Sequence, residues 1–283
     1  MIHSWMYNAQ HFGKAWSTTS SVTRSVCGGA CVGTVTSALL FGGATASGNG
    51  LTTSEKWNGT SWSTTTSLIN STTFFTNSVG SVTSALRIGG WISTGSTTDV
   101  ELWNGSTWAT TTKLSVGTGG AGSCGTTSSA LYVGGTIGSA SYLSTTYIWT
   151  GTAWSTTTAM LNVIIDTSAC GTTLSALLAG GSTASGNSVS SVWKWNGSLW
   201  STSPSMTVSS VANASCCGST SSALEFGGGT NTEIWNGNAW ASTSSMVTVL
   251  WSLCGCGTPV TALCPTGSTS NGYTPYASSQ IWK

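Results

Sequence analysis

The chain has 283 residues, of which 39% are hydrophobic but only 5% are charged, and its formal net charge is +1. Ordinary soluble domains carry about 25% charged residues, and a nucleic-acid binder shows a basic footprint, so partners of that kind are excluded. No run reaches the roughly eighteen apolar residues of a membrane-spanning helix, while sixteen Trp and regular apolar runs supply a core that a disordered chain lacks.

In chain order, Met1–Asn8 has neither a basic start nor an apolar centre, so no secretory signal is expected. Residues 1–10 precede any repeating pattern and hold the apolar cluster Ile2, Trp5, Met6 and Tyr7, an arm expected to lie against a neighbouring subunit. Gly13-Lys14-Ala15-Trp16-Ser17-Thr18-Thr19 then reads as the end of a repeat whose beginning is missing. From Val22 onward one sentence recurs. Its Ser-Ala-Leu opening stands at Ser37, Ser84, Ser129, Ser175 and Ser222, with Thr261-Ala262-Leu263 as a degenerate sixth, at spacings of 47, 45, 46, 47 and 39 residues. A fixed period in this range marks a repeat architecture.

Each repeat contains four β-prone segments. A small Ser/Gly/Cys-rich stretch such as Gly122–Thr127 comes first, then an apolar run ending in a glycine pair, as in Ala130–Gly135. A third segment ends in Trp (Thr146–Trp149), and a fourth begins at a second Trp and runs into Ser/Thr (Trp154–Thr158). Asn-Gly separates the third from the fourth at Asn58, Asn104, Asn196 and Asn236, which predicts a tight hairpin with positive φ at both central positions. The first segments are built of small side chains, and the second should be continuously apolar. Ser/Thr outer strands keep β-propensity at a wettable edge.

This pattern resembles the kelch repeat: hydrophobics ending in Gly-Gly, a variable loop, a third strand, a short turn, then Trp. The resemblance implies blades of four-stranded antiparallel sheet arranged as a propeller, and it covers nearly the whole chain, although Trp-Asn stands where kelch repeats carry Tyr-Asp. The signatures of WD-type blades are absent. The C-terminal Ser278–Lys283 is a third strand that stops where Asn-Gly-x-x-Trp should follow. The expected fold is therefore all-β: one six-bladed β-propeller domain over 1–283, closed by an N-terminal outer strand that completes the C-terminal blade. Its segments are 1–10 (arm), 11–20 (closing strand of blade 6), 22–66, 67–112, 113–158, 159–204, 205–244 and 245–283.

Four of the nine Cys, namely Cys124, Cys170, Cys217 and Cys256, share one repeat position, filled by Val32 and Val79 elsewhere; Cys31 and Cys216 lie one residue earlier. A ring of small buried thiols acting as packing is expected. Their spacings suit zinc poorly, and with the only His at His3 and His11 no metal site or cofactor is expected. Glu55, Glu101 and Glu233 also share one position, two before the third-strand Trp. Repeat symmetry should hold them apart, whereas a glycosidase needs two carboxyls within about 5–10 Å. No catalytic residue is expected, and no nucleophile elbow, phosphate loop or zinc-protease motif occurs.

What varies between repeats is the loop joining second and third strands. These loops carry Trp91, Tyr142, Tyr273 and Tyr276, whose rings and polar handles suit a sugar or a protein partner. Together with low charge and Ser/Thr/Gly richness, they point to a non-enzymatic binding or structural protein. The expected setting is a bacteriophage virion component (tail, fibre-tip or surface protein), made in the host cytoplasm and located in the virion. Its expected partners are other virion subunits and a host-surface glycan, without nucleic acid and without membrane insertion. The alternatives are a carbohydrate-binding lectin outside a virion and, third, a propeller enzyme.

Overall fold

The structure is a computed structural model, and it describes residues 13–72, 74–138, 141–209, 214–269 and 274–283. Among them there is no helix; strands make six four-stranded antiparallel blades. Blade 1 comprises Ala30–Thr34, Ser37–Phe41, Ser54–Trp57 and Trp62–Thr65 from the axis outward. Blades 2 to 5 repeat this order, with innermost strands Asn77–Ser81, Gly122–Gly125, Ser168–Gly171 and Ser215–Gly218. Blade 6 is assembled from both ends of the chain. Trp251–Gly257 is innermost, Ala262–Ser268 and Gln280–Trp282 follow, and Trp16–Thr18 pairs outside them, Trp16 opposite Trp282. Each innermost strand touches the next, and blade 6 touches blade 1, so the ring is closed.

One register holds all the blades. Val32, Val79, Cys124, Cys170, Cys217 and Cys256 face Leu39, Leu86, Leu131, Leu177, Leu224 and Leu263 on the second strands. The residue after each is Gly at positive φ; a Cβ on Gly125 (φ 115°) would lie 2.4 Å from the Ser129 carbonyl oxygen, so the inner hairpin requires glycine there. Second strands are buried apart from the half-buried opening residues Ser37 and Ser84, as expected, but Arg87 and Glu225 interrupt the apolar run in blades 2 and 5.

Each blade carries a pair of Trp facing each other across its third and fourth strands. In the five unbroken blades the ring centroids are 5.1–5.4 Å apart; in blade 6 the pair is Trp16–Trp282, at 5.9 Å. The fourth-strand Trp also clasps the preceding blade. Trp62 donates to Ser279, Trp108 to Ser54, Trp200 to Thr146 and Trp16 to Thr232, the residue that starts that blade's third strand or, in blade 6, immediately precedes it. In blades 2 and 4 that start is Val100 or Val192, which cannot accept. Trp154, facing blade 2, turns to the Thr112 carbonyl instead, while buried Trp240, facing blade 4, has no hydrogen-bond partner. A buried donor without an acceptor is destabilising. Val192→Thr, nearly isosteric, should therefore stabilise the protein by about 1 kcal/mol, measured by denaturant titration; an unchanged midpoint would show that the Trp240 donor is not what costs stability.

The hairpins between third and fourth strands are present, but Asn does not work there as expected. The loop is four residues long, and only its Gly has positive φ (Gly59, 97°; Gly105, 98°). Asn instead folds its side-chain oxygen back onto the backbone, Asn58 Oδ1 accepting from Thr60 N and Ser61 N at 2.9 Å. Four residues let one Asn side chain satisfy two turn amides, which a two-residue turn cannot offer.

Antiparallel order puts these turns and the inner hairpins on one face. The second-to-third-strand loops and the blade-to-blade linkers occupy the other, called here the loop face.

Candidate functional site

The repeat-position acids have structural work. Glu55 accepts Thr23 N and Oγ1, Glu101 accepts Ile69 N and Asn70 N, and Glu233 accepts Thr207 N and Val208 N. Gln280 does the same for Val247 N and Thr248 N in blade 6. Each thus pins the linker that enters its own blade. Glu225 and Glu233 face each other across adjacent strands of blade 5, a carboxyl pair that the repeat spacing alone did not reveal. Both are buried between blades, and Glu225 accepts from Ser168 Oγ at 2.7 Å.

The open site lies on the axis. The innermost strands enclose a channel of about 270 Å³, continuous at the loop face with a mouth of about 80 Å³. Four residues before the shared Val/Cys position, every described blade places its backbone in the left-handed region: Gly28, Phe75 (φ 56°), Gly120, Asp166 (φ 56°) and Ser252 (φ 45°). The sixth equivalent, Asn213, lies outside the described residues. These positions form a collar around the mouth. Gly28 N donates to Ser252 O and Asp166 N to Gly120 O, each reaching the preceding blade. For a bulky residue such as Phe75 this backbone is strained, and strain of this kind gathers at sites of function.

Mouth side chains are polar and short of partners. Asp166 is half-buried and has no hydrogen-bonding partner for its carboxyl among the described residues; burial pushes its pKa up to about 7. Thr76 and Thr167 also line the mouth, but their Oγ1 atoms are closed off from solvent and have no partner either. Asn77 and Ser252 complete the polar lining, and the Phe75 ring, 6.2 Å from that of Phe74, supplies the aromatic face. Among the described residues Asp166 is the sole acid lining the mouth, and no group of three or more potential metal ligands forms there or elsewhere.

The loop aromatics fall outside this lining. Trp91 is half-buried at the start of a short hairpin, its backbone N–H donating to Phe74 O at 2.9 Å. Its ring presses on Gly119, where a Cβ would lie 2.3 Å away, so it buttresses the mouth wall from behind. Tyr142 ends the corresponding hairpin of blade 3, paired with Thr136. Tyr276 packs on the core between blades 5 and 6, with its hydroxyl 3.4 Å from Thr248 Oγ1. The hairpins of Trp91 and Tyr142 adjoin; Tyr276 stands apart from both. Tyr273 and the arm residues Ile2, Trp5, Met6 and Tyr7 lie outside the described residues.

No family model matches the sequence, and no curated protein matches it. Among solved structures the fold is similar to that of YjhT, with a TM-score of 0.77 over 91% of this chain and 95% of that one, at 12% identity. Likeness at that level concerns the propeller alone.

Proposed function

We propose that this propeller is a non-enzymatic recognition protein whose loop-face mouth takes a hydroxyl-rich ligand, a cell-surface glycan, and that it works as a component of a bacteriophage virion. The observation that carries the ligand half is the mouth itself. The half-buried Asp166 carboxyl, without a partner among the described residues, lines it together with the Phe75 ring, which sits on strained backbone, and sugar hydroxyls and ring faces complement those groups. The non-enzymatic reading is supported by the absence, among the described lining residues, of a second acid at the distance glycoside hydrolysis needs, about 5–10 Å. Kelch-like ancestry of the repeats rests on the Gly-Gly and Trp motif and its spacing. The virion setting rests on composition: few charges, Ser/Thr outer strands and near-zero net charge suit a crowded assembly. On the same sequence grounds, docking in the particle falls to Ile2, Trp5, Met6 and Tyr7.

Asp166→Asn tests the mouth. A carboxyl whose pKa is raised by folding holds its proton longer in the native state, so native stability falls as pH rises from about 4, its unfolded value, to about 7. The Asn variant lacks this decline and should be the more stable protein above pH 7. The same substitution removes a charged acceptor, so binding to the glycans that wild type captures on an array should fall by roughly 10–100-fold. An array on which wild type binds nothing, or a variant that is more stable yet binds as wild type does, overturns the ligand half of the proposal. Mass spectrometry of purified particles that lack the chain overturns the virion half.

A further inference from the structure

We infer that Cys31–Cys256 and Cys170–Cys216 are two sites of disulfide formation, each joining neighbouring blades across the channel wall. All nine cysteines are free thiols in the structure. Two pairs nevertheless stand in contact, with Sγ atoms 3.1 Å apart for Cys31 and Cys256 and 3.0 Å apart for Cys216 and Cys170. The pairs are built alike: a Cys at the shared Val/Cys position of one blade meets a Cys one residue earlier in the next blade. This placement occurs at the boundary of blades 6 and 1 and again at that of blades 4 and 5. At the other boundaries one or both partners are missing: the residue one earlier in the next blade is Ala169 for Cys124 and Gly255 for Cys217, while Val32 and Val79 offer no thiol. Both pairs line the channel, which gives a small oxidant access.

The chemistry needs one oxidant, a peroxide. One thiolate of a pair attacks a peroxide oxygen, breaking the O–O bond and leaving a sulfenic acid and water once protons are exchanged. The partner thiolate attacks the sulfenic sulfur; the S–S bond forms, the S–O bond breaks, and the hydroxide leaves as a second water. Two thiols and one hydrogen peroxide thus give one disulfide and two waters. Burial holds the Cys31 thiol well above the usual range, and contact with Cys170 together with burial does so for Cys216. The thiolate is the nucleophile, so oxidation should accelerate as pH rises.

The test is hydrogen peroxide treatment of the purified, folded chain, followed by thiol counting in denaturant and peptide mapping without reductant. Thiols should fall from nine to five, the mapped bridges should be 31–256 and 170–216, and dithiothreitol should restore all nine. Cys31→Ser, oxidised in the same way, should keep the 170–216 bridge alone. The thiol of Cys31 also contacts that of Cys254, so a 31–254 bridge is the informative failure. That bridge, nine surviving thiols, or sulfinic acids in place of bridges overturns the assignment. Mapping wild type alone is decisive if the variant fails to fold.

Discussion

A chain shortened by its first 18 residues should fail to give a cooperatively melting monomer. The deletion removes the outer strand of blade 6 and bares the edge of Gln280–Trp282. It also removes Trp16, which packs 4.9 Å from Phe226 and 5.9 Å from Trp282 and donates to Thr232 in blade 5. Losing a buried Trp alone costs about 3–5 kcal/mol. Added to a lost strand pairing, this approaches the 5–15 kcal/mol that holds an ordinary domain together. An open strand edge also invites pairing with other copies, so the truncated protein should sediment as aggregate. Calorimetry and analytical ultracentrifugation check this, and a melting curve superimposable on that of the intact chain would show that the strand is dispensable. A synthetic peptide spanning residues 13–20 should restore the monomer.

The second large effect is an asymmetry at one buried ion pair. Arg87 and Glu101 are both fully buried on adjacent strands of blade 2, with Arg87 Nη1 3.8 Å from Glu101 Oε1. Arg87 Nη1 also donates to Asp99 O, but Nε and Nη2 have no partner. Burial lowers the guanidinium pKa, a sign of how poorly the site solvates a cation. Glu101→Ala leaves that cation uncompensated and frees the amides of Ile69 and Asn70, and should cost about 3–5 kcal/mol. Arg87→Leu should cost clearly less than that, because Glu101 keeps the amides of Ile69 and Asn70 as donors and blade 1 already places Leu40 opposite Glu55 in the same register. Denaturant titration of the two variants decides the matter; equal losses would mean that the pair acts as an indivisible unit.

The blade plan was legible because each of its devices repeats. The Ser-Ala-Leu opening, the glycine after the Val/Cys position and the Trp pair recur at fixed offsets, and two half-repeats at the chain ends announced a divided blade. The mouth was not legible, since its common property is a backbone angle. Glycine, Phe, Asp and Ser meet that requirement at equivalent positions, and no residue type marks it. The loop aromatics drew attention by their chemistry, but a bare Gly119 beneath Trp91 decides where that ring goes, and the pairing of loop with linker is invisible in one dimension. Arg87 was hidden for the opposite reason: a second strand was expected to be apolar, and a buried charge there is readable only once Glu101 is seen beside it. The cysteine ring could be read from the repeat, but not which thiols meet, because contact between blades depends on their stagger about the axis.

Closing the ring with Trp16 and Trp282 also sets a timetable for synthesis. The outer strand of blade 6 leaves the ribosome before the strands of the other blades, yet its partner Gln280–Trp282 is made only after all of them. Until then the nascent molecule is an arc with two unfinished ends, and the early segment must remain unpaired while the intervening blades fold locally. Contacts between residues so distant in sequence form slowly, and partly finished sheet is prone to associate in the meantime. Translation speed and chaperone supply should therefore govern the yield of this protein more than its final stability does.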